Sequence, residues 1–358
     1  MQGASVSRSK ARLVPRLSGT SLPWPVDWAT LYEQTETRAA RPLILEIGFG
    51  YGHFLRHLSA TFPDAMIVGV EIANECLEHV DRQLDRGEMT NVRAVFARAE
   101  TALHHLFEPA SIDQIHVNFP DPWFKSRHER RRLMQRTHID AMVSRLKAGG
   151  QLFLATDIRE YAEMSDEALR ETAGLSNTLD RPWSTEPLPG RVVTKYERKA
   201  LTAGRPCHYF AYRRNATPVP YIPVLTEAEM PHLTLALPLL VTDIVEQFEP
   251  FEAKAAAREP AHAETNISVN ASQAFGSRQA ALIEAYVVEP TIQQHVGIIV
   301  APIRERPGEY TVGLSTIGSP RPTDGLHFAV RKVADWLLTL HAEARITGDK
   351  ARSGYAEV

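Results

Sequence analysis

Residues 45–52 read LEIGFGYG, and the reading of the fold starts from them. Leu43–Ile47 is a short apolar run, and Gly48, Gly50 and Gly52 follow it directly. His53–Ala60 then has helical character. A strand that breaks into a glycine turn and re-emerges as a helix opens a parallel βαβ unit. Glycine, with no Cβ, lets the backbone turn sharply there and come close to a nucleotide-like ligand. The spacing is GxGxG behind an acid, Glu46, whereas the dinucleotide fingerprint is GxGxxG. GxGxG behind a carboxylate suits S-adenosylmethionine, which has no pyrophosphate and carries an ammonium and a sulfonium. Taken alone, the turn is also what a purely structural strand-to-helix junction would need.

Outward from this turn the alternation continues. Met66–Glu71 reads as a second strand, Glu75–Arg86 as a helix, Val92–Phe96 and Ile112–Asn118 as further strands. Ile139, Met142, Val143 and Leu146 fall at i, i+3, i+4 and i+7, one helix face. Gly149-Gly150 ends that helix, and Gln151–Ala155 is a fifth strand. Near-continuous apolar strands separated by helices predict an α/β fold, a Rossmann-like, doubly wound, mostly parallel sheet over residues 41–214. Glu71 ends the second strand, where an acid can accept from both ribose hydroxyls of a nucleoside, or simply be solvated. With Glu46 and the glycines it favours a nucleoside cofactor. Upstream, the first 22 residues carry Arg8, Lys10, Arg12 and Arg16 and no acid, so residues 1–40 read as a disordered basic arm. Downstream, the proline-rich residues 215–230 read as a linker. Residues 231–358 then show strand-like runs at His232–Leu237, Thr265–Ala271, Leu282–Val288, Val296–Ala301 and Tyr310–Ser315. One amphipathic helix follows, with Leu326, Val330, Val333, Leu337 and Leu340 on one face. That order predicts a smaller α+β domain.

Composition agrees with two soluble domains. The chain has 358 residues, 44% hydrophobic and 23% charged, which excludes wholesale disorder. No apolar run approaches the ~20 residues that span a membrane, and the N-terminus has no signal-peptide core. Cys76 and Cys207 form no CxxC pair, so a disulfide framework is not expected and a reducing cytoplasm is. His232, His262, His295 and His327 are scattered, and no metal site is expected. The net charge of −3 hides an asymmetry: residues 1–215 hold 29 Lys and Arg against 26 acids, the rest 11 against 17. The two parts are expected to have different partners.

The chemistry concentrates in the first part. NFPDPWFK, residues 118–125, lies at the carboxyl end of the fourth strand, where ligands bind in open α/β sheets. Two prolines stiffen the loop around Asp121, Trp123 offers a stacking face, and Lys125 a phosphate-seeking charge. KSRHERRRLMQR, residues 125–136, holds six cations against one acid, a cluster that attracts nucleic-acid phosphates. Asp157 follows the fifth strand and is also placed to N-cap a helix. TKYERK, residues 194–199, reads equally well as an edge strand.

Together EIGFGYG, VGVEI, NFPDPWFKSRHERRR, ATD and TKYE resemble the bacterial tRNA (guanine-N7-)-methyltransferases, the TrmB family, over about residues 41–213. The resemblance implies a class I methyltransferase fold, S-adenosylmethionine as cofactor, and methyl transfer to N7 of the guanine at position forty-six of a tRNA variable loop. It implies cofactor contacts at Glu46, Gly48, Gly50, Gly52, Glu71 and Asp121, with Asp121 catalytic. Substrate contacts would come from Lys125, Asp157, Thr194, Lys195, Tyr196 and Glu197, and RNA contacts from Arg127, His128, Arg130, Arg131 and Arg132. The sequence departs from the family in four places. Arg98 stands where the family carries an adenine-binding Asp, with Glu100 two residues on as a replacement. Asn118 replaces a usual aromatic or apolar residue, AGRPCHYFAYRR replaces the closing segment, and the chain after residue 215 is extra. The competing readings are a non-catalytic tRNA-binding relative and a methyltransferase acting on another base. The oligomeric state, monomer or homodimer, is open.

Overall fold

The computed structural model describes residues 16–32, 41–123, 132–257, 266–351 and 355–357. The chain divides into two compact units, Met1–Leu225 and Thr226–Val358.

The first unit carries β1 (Leu17–Ser18), α1 (Trp28–Leu31), β2 (Leu43–Ile47), α2 (His53–Thr61), β3 (Met66–Glu71), α3 (Asn74–Asp85), β4 (Val92–Phe96) and α4 (Ala99–Thr101). They are followed by β5 (Ile112–Asn118), α5 (Arg136–Arg145), β6 (Leu146–Thr156), α6 (Arg159–Arg170), β7 (Leu175–Asn177), α7 (Lys195–Thr202) and β8 (His208–Arg214). The sheet order is β1-β4-β3-β2-β5-β6-β8-β7. Strands β1 to β6 pair in parallel, while β8 runs antiparallel to β6 and to β7. The expected doubly wound sheet is therefore present, with an antiparallel finish. Strand order reverses between β2 and β5, and this switch point opens a crevice at their carboxyl ends. The strands form because Ile44, Leu45, Ile67, Val68, Val95, Ile115 and Val117 are buried between helices on both faces. A buried residue of this kind contributes roughly 1.5–3 kcal/mol.

Three sequence readings need correction. Residues 17–32 belong to the fold, not to a disordered arm. Leu22, Trp24, Val26, Trp28 and Tyr32 are buried, Trp24 packs 4.0 Å from His105 and Trp28 stacks 5.0 Å from Phe107. That burial outweighs the positive charge nearby. The fifth strand begins at Leu146 instead of Gln151. The glycine pair does not delimit it; Gly149 adopts φ 79° inside it, beside a register irregularity against β5. Residues 215–225 pack on the first unit instead of forming a free linker. Arg145 is fully buried and donates to the carbonyls of Ile222 (2.6 Å) and Pro223 (3.3 Å), while the Leu225 N–H donates to His104 O (2.9 Å). A buried guanidinium needs acceptors, and this strip supplies them.

The second unit is built from β9 (His232–Ala236), α8 (Val241–Glu246), β10 (Phe251–Ala257), β11 (Asn266–Gly276), β12 (Ala281–Val288), β13 (Gln293–Pro302), β14 (Glu309–Leu314), α9 (Asp324–Thr339), β15 (Arg345–Asp349) and β16 (Tyr355–Glu357). Its sheet is antiparallel, in the order β15-β9-β14-β13-β12-β11-β10-β16. Leu326, Val330, Val333 and Leu337 of α9 are buried in its core with Ile283, Val287, Ile298 and Val312. The five strand runs and the one amphipathic helix read from the sequence are there. The reading missed α8, β10, β15 and β16. Among the described residues no helix is long and apolar enough to cross a membrane.

Candidate functional site

The ends of β2 and β5, the glycine turn and α7 converge at the switch point of the first unit. Gly48, Gly50 and Gly52 have φ of 73°, 55° and 74°, a region that side chains with a Cβ disfavour. A Cβ built on Gly48 would meet nothing within 4 Å, so the turn borders open space. Glu71, at the end of β3, closes the turn from below. Its Oε2 accepts from the Gly50 N–H at 2.9 Å, and its Oε1 from Ile72 and Ala73 N–H at 2.7 and 3.0 Å.

Glu46 sits inside the crevice, only 1% exposed. Its Oε1 accepts from Asn118 Nδ2 at 3.0 Å, while its Oε2 meets no hydrogen-bond partner among the described residues. Burial pushes its carboxyl up to about 8; the Asn118 hydrogen bond and the Arg191 charge oppose the rise, and Glu71 adds to it. A buried carboxyl with one oxygen lacking a partner suits a ligand that brings a cation or an N–H donor. The crevice thus fits a cofactor bearing an ammonium group, held by Glu46, the glycine turn and Glu71.

Across the crevice, Thr194 caps α7. Its Oγ1 accepts from the Glu197 N–H, and Glu197 Oε2 accepts from the Thr194 N–H, both at 3.2 Å. This capping box starts a helix where the sequence also allowed an edge strand, and it fixes Thr194 and Glu197 against each other. Glu197 is fully buried, and Tyr209 donates to its Oε1 at 2.5 Å. Lys195 and Tyr196 point outward. Lys195 Nζ lies 4.2 Å from the Tyr51 ring centre, and the Tyr196 ring lies 3.4 Å from where a Gly50 Cβ would be. Burial raises the Tyr196 phenol, and Cys76, Glu71, Asp121 and Glu75 add to the rise.

Asp121 is exposed on the loop after β5. Phe119 and Trp123 flank it at φ 51° and 43°, left-handed conformations strained for aromatic residues. The Phe119 N–H donates to Ala155 O at 2.7 Å, and Arg132 Nε donates to the carbonyls of Pro122 (3.2 Å) and Trp123 (3.3 Å). Arg132, one of the cations that the resemblance assigns to RNA, thus also braces the loop. Asp157 does not cap α6, whose N-cap is Ile158; its Oδ2 accepts from Arg205 at 2.8–2.9 Å. Glu100 Oε1 lies 3.6 Å from Arg98 and 3.8 Å from His138. Lys125, Arg127, His128, Arg130 and Arg131 lie outside the described residues. Among the described residues no three His, Cys, Asp or Glu side chains are grouped to hold a metal ion. Arg191 and Tyr209, which with Asn118 link the two sides of the crevice, are the site residues that sequence reasoning did not single out; Asn118 stood out only as a departure from the family pattern.

Residues 40–210 match the model of a family described as "Putative methyltransferase". The tRNA (guanine-N(7)-)-methyltransferase of Thermus thermophilus is 31% identical over 297 residues, 83% of this chain and 89% of that protein. The chain belongs to the tRNA (guanine-N7-)-methyltransferase family. The enzyme of the same name from Thiobacillus denitrificans is 34% identical over 216 residues, 59% of this chain and 90% of that protein. That of Magnetococcus marinus is 34% identical over 206 residues, 57% and 81% respectively. The Thermus match is longer than the first unit, Met1–Leu225, so it extends into the second. Part of the second unit is therefore shared with that member of the tRNA (guanine-N7-)-methyltransferase family.

Proposed function

We propose that this protein transfers a methyl group from S-adenosylmethionine to N7 of a guanine in tRNA, the variable-loop guanine by family resemblance. The observation that carries the reading is the meeting of Glu46, the glycine turn, Glu71 and Tyr196 at one switch point, beside the loop after β5 that holds Asp121. S-adenosylmethionine, when bound, supplies an electrophilic methyl group. Guanine N7 has an in-plane lone pair and can attack without losing a proton, so the chain need supply no general base. Its task is alignment at near-attack distance. The Asp121 carboxylate would stand beside the imidazole part of the purine and stabilise the positive charge that grows there. Tyr196 offers its exposed ring to stack on an extruded base. Asp157, fixed through Oδ2 by Arg205, offers Oδ1 to the guanine N1–H and amino edge, which adenine cannot match. Lys195 and the cations of residues 125–131 would take the phosphates. The Glu46 oxygen without a partner favours a catalytic protein over a binding-only relative, because RNA binding alone gives that buried oxygen no use.

The test is transfer of labelled methyl from S-adenosylmethionine to unmodified tRNA, beside the same tRNA with the variable-loop guanine changed to adenine. Label confined to the guanine tRNA and recovered as N7-methylguanine supports the reading. Absence of label from both, with folded protein and saturating cofactor, refutes it.

A further inference from the structure

Arg191 lies just before α7 and is almost buried, its side chain 6% exposed. Burying a guanidinium is costly unless its surroundings repay it. Here it faces one carboxyl from each side of the crevice. One terminal nitrogen donates to Asn118 Oδ1 at 2.6 Å, and the Asn118 amide passes the contact on to Glu46 Oε1 at 3.0 Å. Its Nε lies 3.8 Å from Glu197 Oε2. The guanidinium carbon stands 4.8 Å from the Phe54 ring centre on α2 and 5.4 Å from the Tyr209 ring centre on β8. His116, buried beside it, has its ring pushed down to about 3 by burial first and by the Arg191 charge second, so the imidazole stays neutral. The cation thus joins β2, β5, α2, β8 and α7. The chain of contacts ends in two buried polar atoms without hydrogen-bond partners among the described residues, Glu46 Oε2 and Arg191 Nε. The unpartnered Glu46 oxygen lies at the cofactor end of this chain of contacts.

We propose that Arg191 is a positioning residue for the transfer, setting Glu46 through Asn118 and α7 through Glu197, so that one buried cation fixes cofactor and guanine sites relative to each other. The proposal rests on the methyl-transfer reading above. Arg191 touches neither reactant; it acts through Glu46 and through the helix that presents Tyr196.

The experiment measures S-adenosylmethionine Kd by calorimetry, and kcat and tRNA KM by methyl transfer, for the full-length wild type, Arg191→Met, Arg191→Lys, Asn118→Leu and the Met/Leu double variant. Loss of a charge-assisted hydrogen bond corresponds to roughly 10–100-fold in an equilibrium constant. Asn118→Leu should raise the cofactor Kd by about 10-fold and leave tRNA KM within about twofold. Arg191→Met should raise both and lower kcat, Arg191→Lys should recover part of the tRNA KM, and the double variant should bind cofactor no worse than Arg191→Met. Cofactor binding within about twofold of wild type in both single variants, or fully additive losses in the double, would overturn the proposal. Asn118→Leu keeps the question answerable if Arg191→Met does not fold. A wild type that binds cofactor but methylates no tRNA would sink the methyl-transfer reading instead, which the cofactor Kd values distinguish.

Discussion

Glu46 gives the most quantitative handle on the site. In the free protein its carboxyl is pushed up to about 8 from an ordinary 4.5, with burial the largest cause. A group titrating at 8 is ~90% protonated at pH 7. A cofactor ammonium drawn to Glu46 would favour the anion. Binding at pH 7 should therefore release ~0.9 proton. Calorimetric titration with S-adenosylmethionine in phosphate and in Tris, whose ionisation enthalpies differ widely, reads that number as the slope of observed against buffer enthalpy. Against buffer ionisation enthalpy the expected slope is about −0.9 for wild type and near zero for Glu46→Gln, which should also bind more weakly. The same group ties stability to pH in the free protein. Because its folded pKa is raised, the folded state holds a proton that the unfolded chain releases above 4.5. Its contribution is complete below 4.5 and drains as pH climbs to about 8, by ~1.4 kcal/mol per unit within that window. Glu46→Gln should flatten this decline in urea titrations at pH 5, 6, 7 and 8. A wild-type enthalpy independent of buffer, with tight cofactor binding, would refute the reasoning.

Other consequences are as direct. Asp121→Ala, at an exposed position, should leave unfolding free energy within about 0.5 kcal/mol of wild type while kcat falls by roughly 10²–10³; a variant that methylates normally removes Asp121 from the mechanism. Thr194→Ala breaks the α7 capping box and should cost about 1 kcal/mol by urea titration, with a raised tRNA KM because Tyr196 loses its support. Glu71→Ala leaves the N–H groups of Gly50, Ile72 and Ala73 to water; it should cost about 1 kcal/mol of stability and at least ~10-fold in cofactor Kd. Leu337→Ala in the core of the second unit should cost roughly 2–5 kcal/mol, read by denaturant titration of the whole chain.

How much of this was legible depended on whether the signal was local. Strands β2 to β6 announced themselves because both faces are buried, leaving unbroken apolar runs that need no partner to be recognised. Helix α9 did so through its single apolar face. FEAKAAA, the whole of β10, carries no strand signature; pairing with β11 decides it, and alanine would as readily take a helix. Residues 17–32 were missed because four upstream cations drew attention from Leu22, Trp24, Val26 and Trp28, whose burial depends on β4, His105 and Phe107 far along the chain. The capping box was in plain view: Thr194 and Glu197 stand in the T-x-x-E spacing that marks a helix start. An edge-strand reading of the same four letters hid it.

Asn118 shows where local reading ends. Against the family pattern it looked like a polar residue in an apolar place, and the sequence offered no reason for it. The structure requires a side chain there that donates to Glu46 and accepts from Arg191 at once. A side-chain amide presents a donor and an acceptor on separate atoms and can bridge two such groups. An apolar residue at this position would leave the carboxyl and the guanidinium, both buried, without their link. A relative with an aromatic residue there must therefore hold its cofactor acid in another way, and grafting that aromatic onto this chain would cost cofactor affinity even where its volume fits. The departure at Asn118 and the burial of Arg191 are one feature, split in sequence by 73 positions and joined only by the fold.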